Sequence, residues 1–139
     1  MARMNASRLL AVYGITLSAF LALDALWLGV VARALYRREL GFLLAEEVRW
    51  GAALLFYLLY VAGIVTVVVL PNQGATLLRT AVIGGVFGLA AYAAYDLTNL
   101  ATVARWPVLV TVVDMVWGTV LTAATALAGG LAVRWLLRP

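Results

Sequence analysis

Three aspartates sit inside long apolar stretches, and their positions count off in nines: Asp24 lies nine residues before Arg33, Asp96 nine before Arg105, and Asp114 nine after Arg105. If those stretches are membrane-spanning helices, a rise of roughly 1.5 Å per residue puts all three carboxyls roughly 13 Å beneath the same face. An ionised Asp in hydrocarbon costs at least roughly 2.5–3.5 kcal/mol, so each should turn to the interior of a bundle or to a wet cavity. They are expected to meet there. Two such carboxyls, one protonated and one ionised, can donate and remove protons, which makes Asp24, Asp96 and Asp114 the expected acid–base set.

Residues three and four apart share a helix face. That spacing puts Trp27 beside Asp24, Tyr92 and Asn99 beside Asp96, and Thr111, Trp117 and Gly118 beside Asp114. Tyr57 and Tyr60, eight and eleven residues after Arg49, reach the same depth from another stretch. The expectation is a ligand pocket of three carboxyls with Trp27, Tyr57, Tyr60, Tyr92, Asn99 and Trp117 on its walls. The plainer reading is that buried Asp, Asn and Thr act as hydrogen-bonding glue between helices. Trp50, Trp106, Trp135 and Tyr36 fall near span ends, where an aromatic belt at the membrane surface explains them.

The elements that must position these residues are plain from composition. The chain is 66% hydrophobic and 12% charged, with a mean hydropathy of +1.06, so its solvent is lipid. Four continuously apolar runs, 9–31, 50–70, 80–104 and 107–133, are each long enough to cross a hydrocarbon core of roughly 30 Å. A barrel would instead need many shorter segments alternating apolar and polar residues. The fold expected is therefore an all-α integral membrane protein, one four-transmembrane-helix bundle over residues 1–139. Between spans one and two, Leu40, Leu43, Leu44 and Val48 recur at helical spacing, which predicts a short interfacial helix over 40–48. Gly84-x-x-x-Gly88 and Gly118 predict close helix approach near the aspartates.

With no Cys and no His, disulfides, haem, iron–sulfur clusters and the usual zinc and copper sites lose their ligands. Every basic residue is Arg, which removes lysine Schiff-base chemistry. No cofactor is expected, and a metal held by three aspartates ranks low. The charge of +4 comes from arginines at the ends of apolar runs, the pattern of membrane flanks and not of nucleic-acid binding. Arg3, Arg8, Arg79, Arg134 and Arg138 on the terminal side balance Arg33, Arg37, Arg38, Arg49 and Arg105 on the other, and only the glutamates on the second face lean the termini toward the cytoplasm. Asp24 to Arg33 and Asp96 to Arg105 share Asp-x-x-x-Leu-x-x-Val-Ala-Arg, a pattern that suits two parallel two-helix halves.

Leu23-Asp-Ala-Leu-Trp-Leu-Gly29, Trp50-Gly-Ala-Ala-Leu-Leu-Phe-Tyr-Leu-Leu-Tyr60, Ala94-Tyr-Asp-Leu-Thr-Asn-Leu-Ala101 and Val113-Asp-Met-Val-Trp-Gly-Thr119 together resemble a family of small bacterial membrane proteins catalogued as domain of unknown function 2177. The resemblance runs over almost the whole chain and implies a four-span protein of the bacterial inner membrane. Activity has to be argued from the residues. An enzyme or binder of a lipid or isoprenoid-like ligand is the first expectation, with membrane lipids as partners. A transporter of a small cation or lipid-like solute is the second, and with only four spans it would need a homodimer. A lipid-binding or assembly subunit without catalysis is the third.

Overall fold

The computed structural model describes residues 4–137; Arg3 and Arg138 of the charge count lie outside it. Helix α1, Ala6–Leu26, runs on as a π-helical turn, Trp27–Val31. A short α2, Arg33–Leu40, follows; then come α3, Trp50–Gly63, prolonged by a π-helical Ile64–Val69, and the long α4, Leu77–Thr102, and α5, Val108–Leu136. The stretches Ala6–Val31, Trp50–Val69, Leu77–Thr102 and Val108–Leu136 are long and apolar enough to cross a membrane. The chain is an all-helical membrane protein with a short helix between its first and second spans.

Local chemistry sets the ends. The Asn5 side chain caps α1 by accepting from the Arg8 N–H at 2.9 Å, and Thr76 caps α4 by accepting from Arg79 N–H at 3.2 Å. Each satisfies a backbone donor that has no partner within its helix. Pro107 precedes α5 in an extended conformation. Its fixed φ suits a helix start, and it holds the preceding residue out of the helix. Arg105, in the turn between α4 and α5, takes φ 61°; its guanidinium lies over the Phe42 ring, 4.5 Å from the centroid.

The two ends of the bundle differ. Toward the termini, Val12, Val61, Ile64, Val65, Val68 and Leu121 form a tightly closed apolar core. Helices α4 and α5 approach closely there: a Cβ on Gly84 would lie 2.6 Å from Cβ of Ala126, and one on Gly88 would strike the Gly118 carbonyl and the Thr122 side chain. Gly118 faces the Tyr92 ring in the same way. The glycines expected to permit close approach stand at this crossing. At the other end the bundle opens. No Cα of Trp50–Gly63 comes within 8 Å of a Cα of α4 or α5, whereas the π-helical extension meets both. The wedge between α3 and α4 therefore widens toward α2.

The helix between spans is not where periodicity set it. Residues 33–40 are helical, and 41–49 are turns and irregular chain. Ala32, at φ −100° and ψ −2°, breaks away from the π-helical turn so that α2 starts at once on Arg33. Gly41 ends it, glycine being costly to hold in a helix, and Leu43 and Leu44 N–H fold back on the Leu40 carbonyl. Leu43, Leu44 and Val48 are exposed apolar residues of a loop instead of one helix face.

Candidate functional site

Asp24 on α1 and Asp114 on α5 are 7% and 9% exposed, and they stand at the open end of the bundle. Each is followed three residues later by a tryptophan on the same helix face. The two indoles stack, with ring centroids 4.4 Å apart and planes 6° from parallel. Trp117 Nε1 donates to Asp24 Oδ1 at 3.4 Å. Trp27 Nε1 donates to the Tyr36 hydroxyl at 2.9 Å, and that hydroxyl donates to Asp114 Oδ1. A continuous chain thus runs Asp24, Trp117, Trp27, Tyr36, Asp114. The Tyr57 phenol stands against Asp24 from α3.

Tyr36 is the residue that sequence reasoning missed. Assigned to a surface belt, it instead turns inward on α2. The bend at Ala32 brings it there, and no periodic pattern announces such a bend. Burial first, and then its hydrogen bond to Asp114, push its hydroxyl well above the ordinary tyrosine range, so it stays a donor. The π-helical turn that begins at Trp27 has a further effect: an added residue in a helix turn shifts the phase of all that follows, a device common at functional sites.

Two adjoining cavities meet at this cluster. The inner one, which holds both carboxyls although it is the more open of the two, has a volume of about 310 Å³ and is walled by Asp24, Trp27, Tyr36, Tyr57 and Trp117 among others. The outer one, about 340 Å³, lies between α3 and α4, with Phe56, Tyr60, Ala91 and Tyr95 around it. Asp114, Tyr92 and Phe56 belong to the walls of both. Each volume falls in the roughly 300–1,000 Å³ range of small-molecule sites. Tyr60 is held in place by a 2.8 Å hydrogen bond with Thr122 and by Phe20, edge-on at 5.6 Å.

Of the expected site residues, Asp24, Asp114, Trp27, Trp117, Tyr57 and Tyr92 line the inner cavity, and Tyr60 the outer. Asp96 lines neither. It is fully buried, and neither carboxyl oxygen has a hydrogen-bond partner. Asn99, one turn further along α4, is half-buried and associates with Tyr95. Among the described residues no three acidic side chains converge as a metal site would require. Trp106 donates to Thr111 Oγ1 at 3.1 Å and meets the Tyr95 ring edge-on, while Trp50 and Trp135 remain exposed.

Chemically, the arrangement offers two buried carboxyls, each with a fixed donor, and among the described residues no group donates to the second oxygen of Asp114. Groups held in this way are ready to take or give a proton without rearranging first. The sequence model of a family described as "Predicted membrane protein (DUF2177)" matches residues 9–131. No curated protein and no solved structure matches the chain.

Proposed function

The chain belongs to the DUF2177 family of predicted membrane proteins, and from that premise we propose that it binds a lipophilic molecule drawn from the membrane and exchanges protons with it through Asp24 and Asp114. The setting we infer is the bacterial inner membrane. The observation that carries the reading is the shared wall: Asp114 borders both an inner cavity that holds the second carboxyl and an outer cavity lined by aromatic and apolar side chains. Largely apolar pockets with a few convergent polar groups are the usual form of ligand sites. Glue between helices would leave no reason for a buried aspartate to border two cavities.

Lipid extraction and mass spectrometry of the purified protein test this. The wild type should retain a lipophilic compound at near-stoichiometric level, and Asp114→Asn and Asp24→Asn should lose it while keeping helical content and melting temperature. An unchanged complement of bound lipids in both variants would defeat the reading.

A further inference from the structure

The walls of the two cavities carry one sign of charge. Asp24 and Asp114 lie at the inner end, and among the described residues no arginine borders either cavity. The arginines of the described residues all lie elsewhere. Asp114 is 9% exposed, and its Oδ1 accepts from Tyr36 while among the described residues no group donates to Oδ2. A buried carboxylate with free lone pairs on a cavity wall is a site for a donor, and a charged donor gives the shorter and stronger bond. Around it stand Trp27, Trp117, Tyr57 and Tyr92, aromatic rings of the kind whose quadrupoles attract cations and do nothing for anions, although the two indoles each cover one face of the other. The outer cavity shares Asp114, Tyr92 and Phe56 with the inner one, holds no second carboxyl, and adds Tyr60, Ala91 and Tyr95 as walls. It follows the wedge where α3 and α4 stand apart.

We propose that the ligand is a cationic amphiphile, an aliphatic or isoprenoid chain bearing one protonated amine. Its ammonium sits between Asp114 and Asp24 in the aromatic box, and its chain passes out between α3 and α4 into the bilayer. The proposal rests on the reading of these cavities as a lipophilic-ligand site and adds the charge, the orientation and the route of entry. An alcohol would satisfy the hydrogen bond but not the charge; a fatty carboxylate would meet two acids and no base.

The test uses the full chain in a neutral detergent at neutral pH, titrated with dodecylamine, dodecanol or dodecanoate and followed by native mass spectrometry and melting temperature. Dodecylamine should give one saturable adduct and bind at least about tenfold more tightly than either of the others, the tenfold step expected of one charge-assisted contact. Asp114→Asn should bring it to the level of dodecanol. Ala91→Phe, which fills the outer cavity and leaves both carboxyls intact, should weaken it by about tenfold as well. If Asp114→Asn does not fold, Asp24→Asn takes its place. Equal binding of dodecanol, or tightest binding of dodecanoate, would overturn the cationic proposal while leaving a lipophilic site standing. Saturable binding of none of the three would overturn both. Dodecylamine binding indifferent to both variants would overturn this location.

Discussion

The indole of Trp27, on the same helix as Asp24, hands its N–H through Tyr36 to Asp114, while the indole of Trp117, on the same helix as Asp114, hands its N–H to Asp24. The rings stack on each other, so the arrangement is reciprocal: each Asp-x-x-Trp segment supports the carboxyl of the other helix. Trp27→Phe and Trp117→Phe keep a stacked ring but delete one donor. Each should lower stability in detergent by about 1 kcal/mol, the usual net worth of a hydrogen bond. Unfolding curves that superimpose on the wild type would show that these bonds contribute nothing.

Asp96 should behave in the opposite sense. A fully buried carboxyl without a partner carries a desolvation penalty of roughly 1–3 kcal/mol that nothing offsets. Asp96→Val, similar in size and apolar, should therefore raise the melting temperature. A fall would mean that the carboxyl has a partner in the membrane.

Close approach of α4 and α5 gives a third prediction. Gly88→Ala would place a methyl on the Gly118 carbonyl, and such overpacking costs typically about 1–3 kcal/mol. Gly14→Ala, with nothing within 4 Å of the new methyl, should be neutral or stabilising by up to about 1 kcal/mol, since alanine suits helix interiors better than glycine. Comparable melting temperatures for the two variants would contradict the geometry of the crossing.

At Arg105 two effects compete. The left-handed backbone at φ 61° costs a non-glycine residue about 1–2 kcal/mol, whereas a cation–π contact at an exposed site returns about 0.5–1 kcal/mol. Strain is the larger. Arg105→Gly should leave stability unchanged or raise it by up to about 1 kcal/mol despite losing the Phe42 contact, and a clear loss in thermal unfolding would reverse that ranking.

Tyr36 predicts the alkaline behaviour. Its folded pKa lies above the unfolded value of roughly 10, because burial and the Asp114 hydrogen bond disfavour the phenolate. The folded state then holds a proton that the unfolded state loses, so this contribution is complete below about pH 10 and declines as pH rises through the folded pKa. Tyr36→Phe should be less stable at neutral pH yet lose less stability above about pH 10. Parallel stability–pH curves for the two proteins would show that Tyr36 is not the group responsible.

What could be read from residues alone follows from what spacing encodes. Continuous apolarity marks four helices because a helix in lipid has no wet face to interrupt the pattern. The pairing of Asp24 with Trp27 and of Asp114 with Trp117 was legible because three-residue spacing is a property of one helix. Asp96 marks the limit. Counting residues gives depth along a helix axis, but the direction a side chain takes around that axis depends on packing, and α4 is fixed against α5 by Gly84, Gly88 and Gly118. Tyr36 and the misplaced helix over 40–48 share another cause. Both depend on the break at Ala32 and the stop at Gly41, single-residue events that a periodic pattern cannot carry.

The wedge between α3 and α4 is closed at the end nearer the termini and open at the end nearer α2, and Asp24 lies nine residues from Arg33, or roughly 13 Å along the axis. Half the thickness of a hydrocarbon core of roughly 30 Å is only slightly more than that. The mouth of the wedge, at the α2 end, consequently lies within a single leaflet, while its walls at Tyr60 and Ala91 reach the midplane or beyond. On the lipophilic-ligand reading proposed above, a molecule confined to the opposite monolayer would have to flip before it could enter by that mouth, and any asymmetry between the two lipid populations would become part of the protein's selectivity.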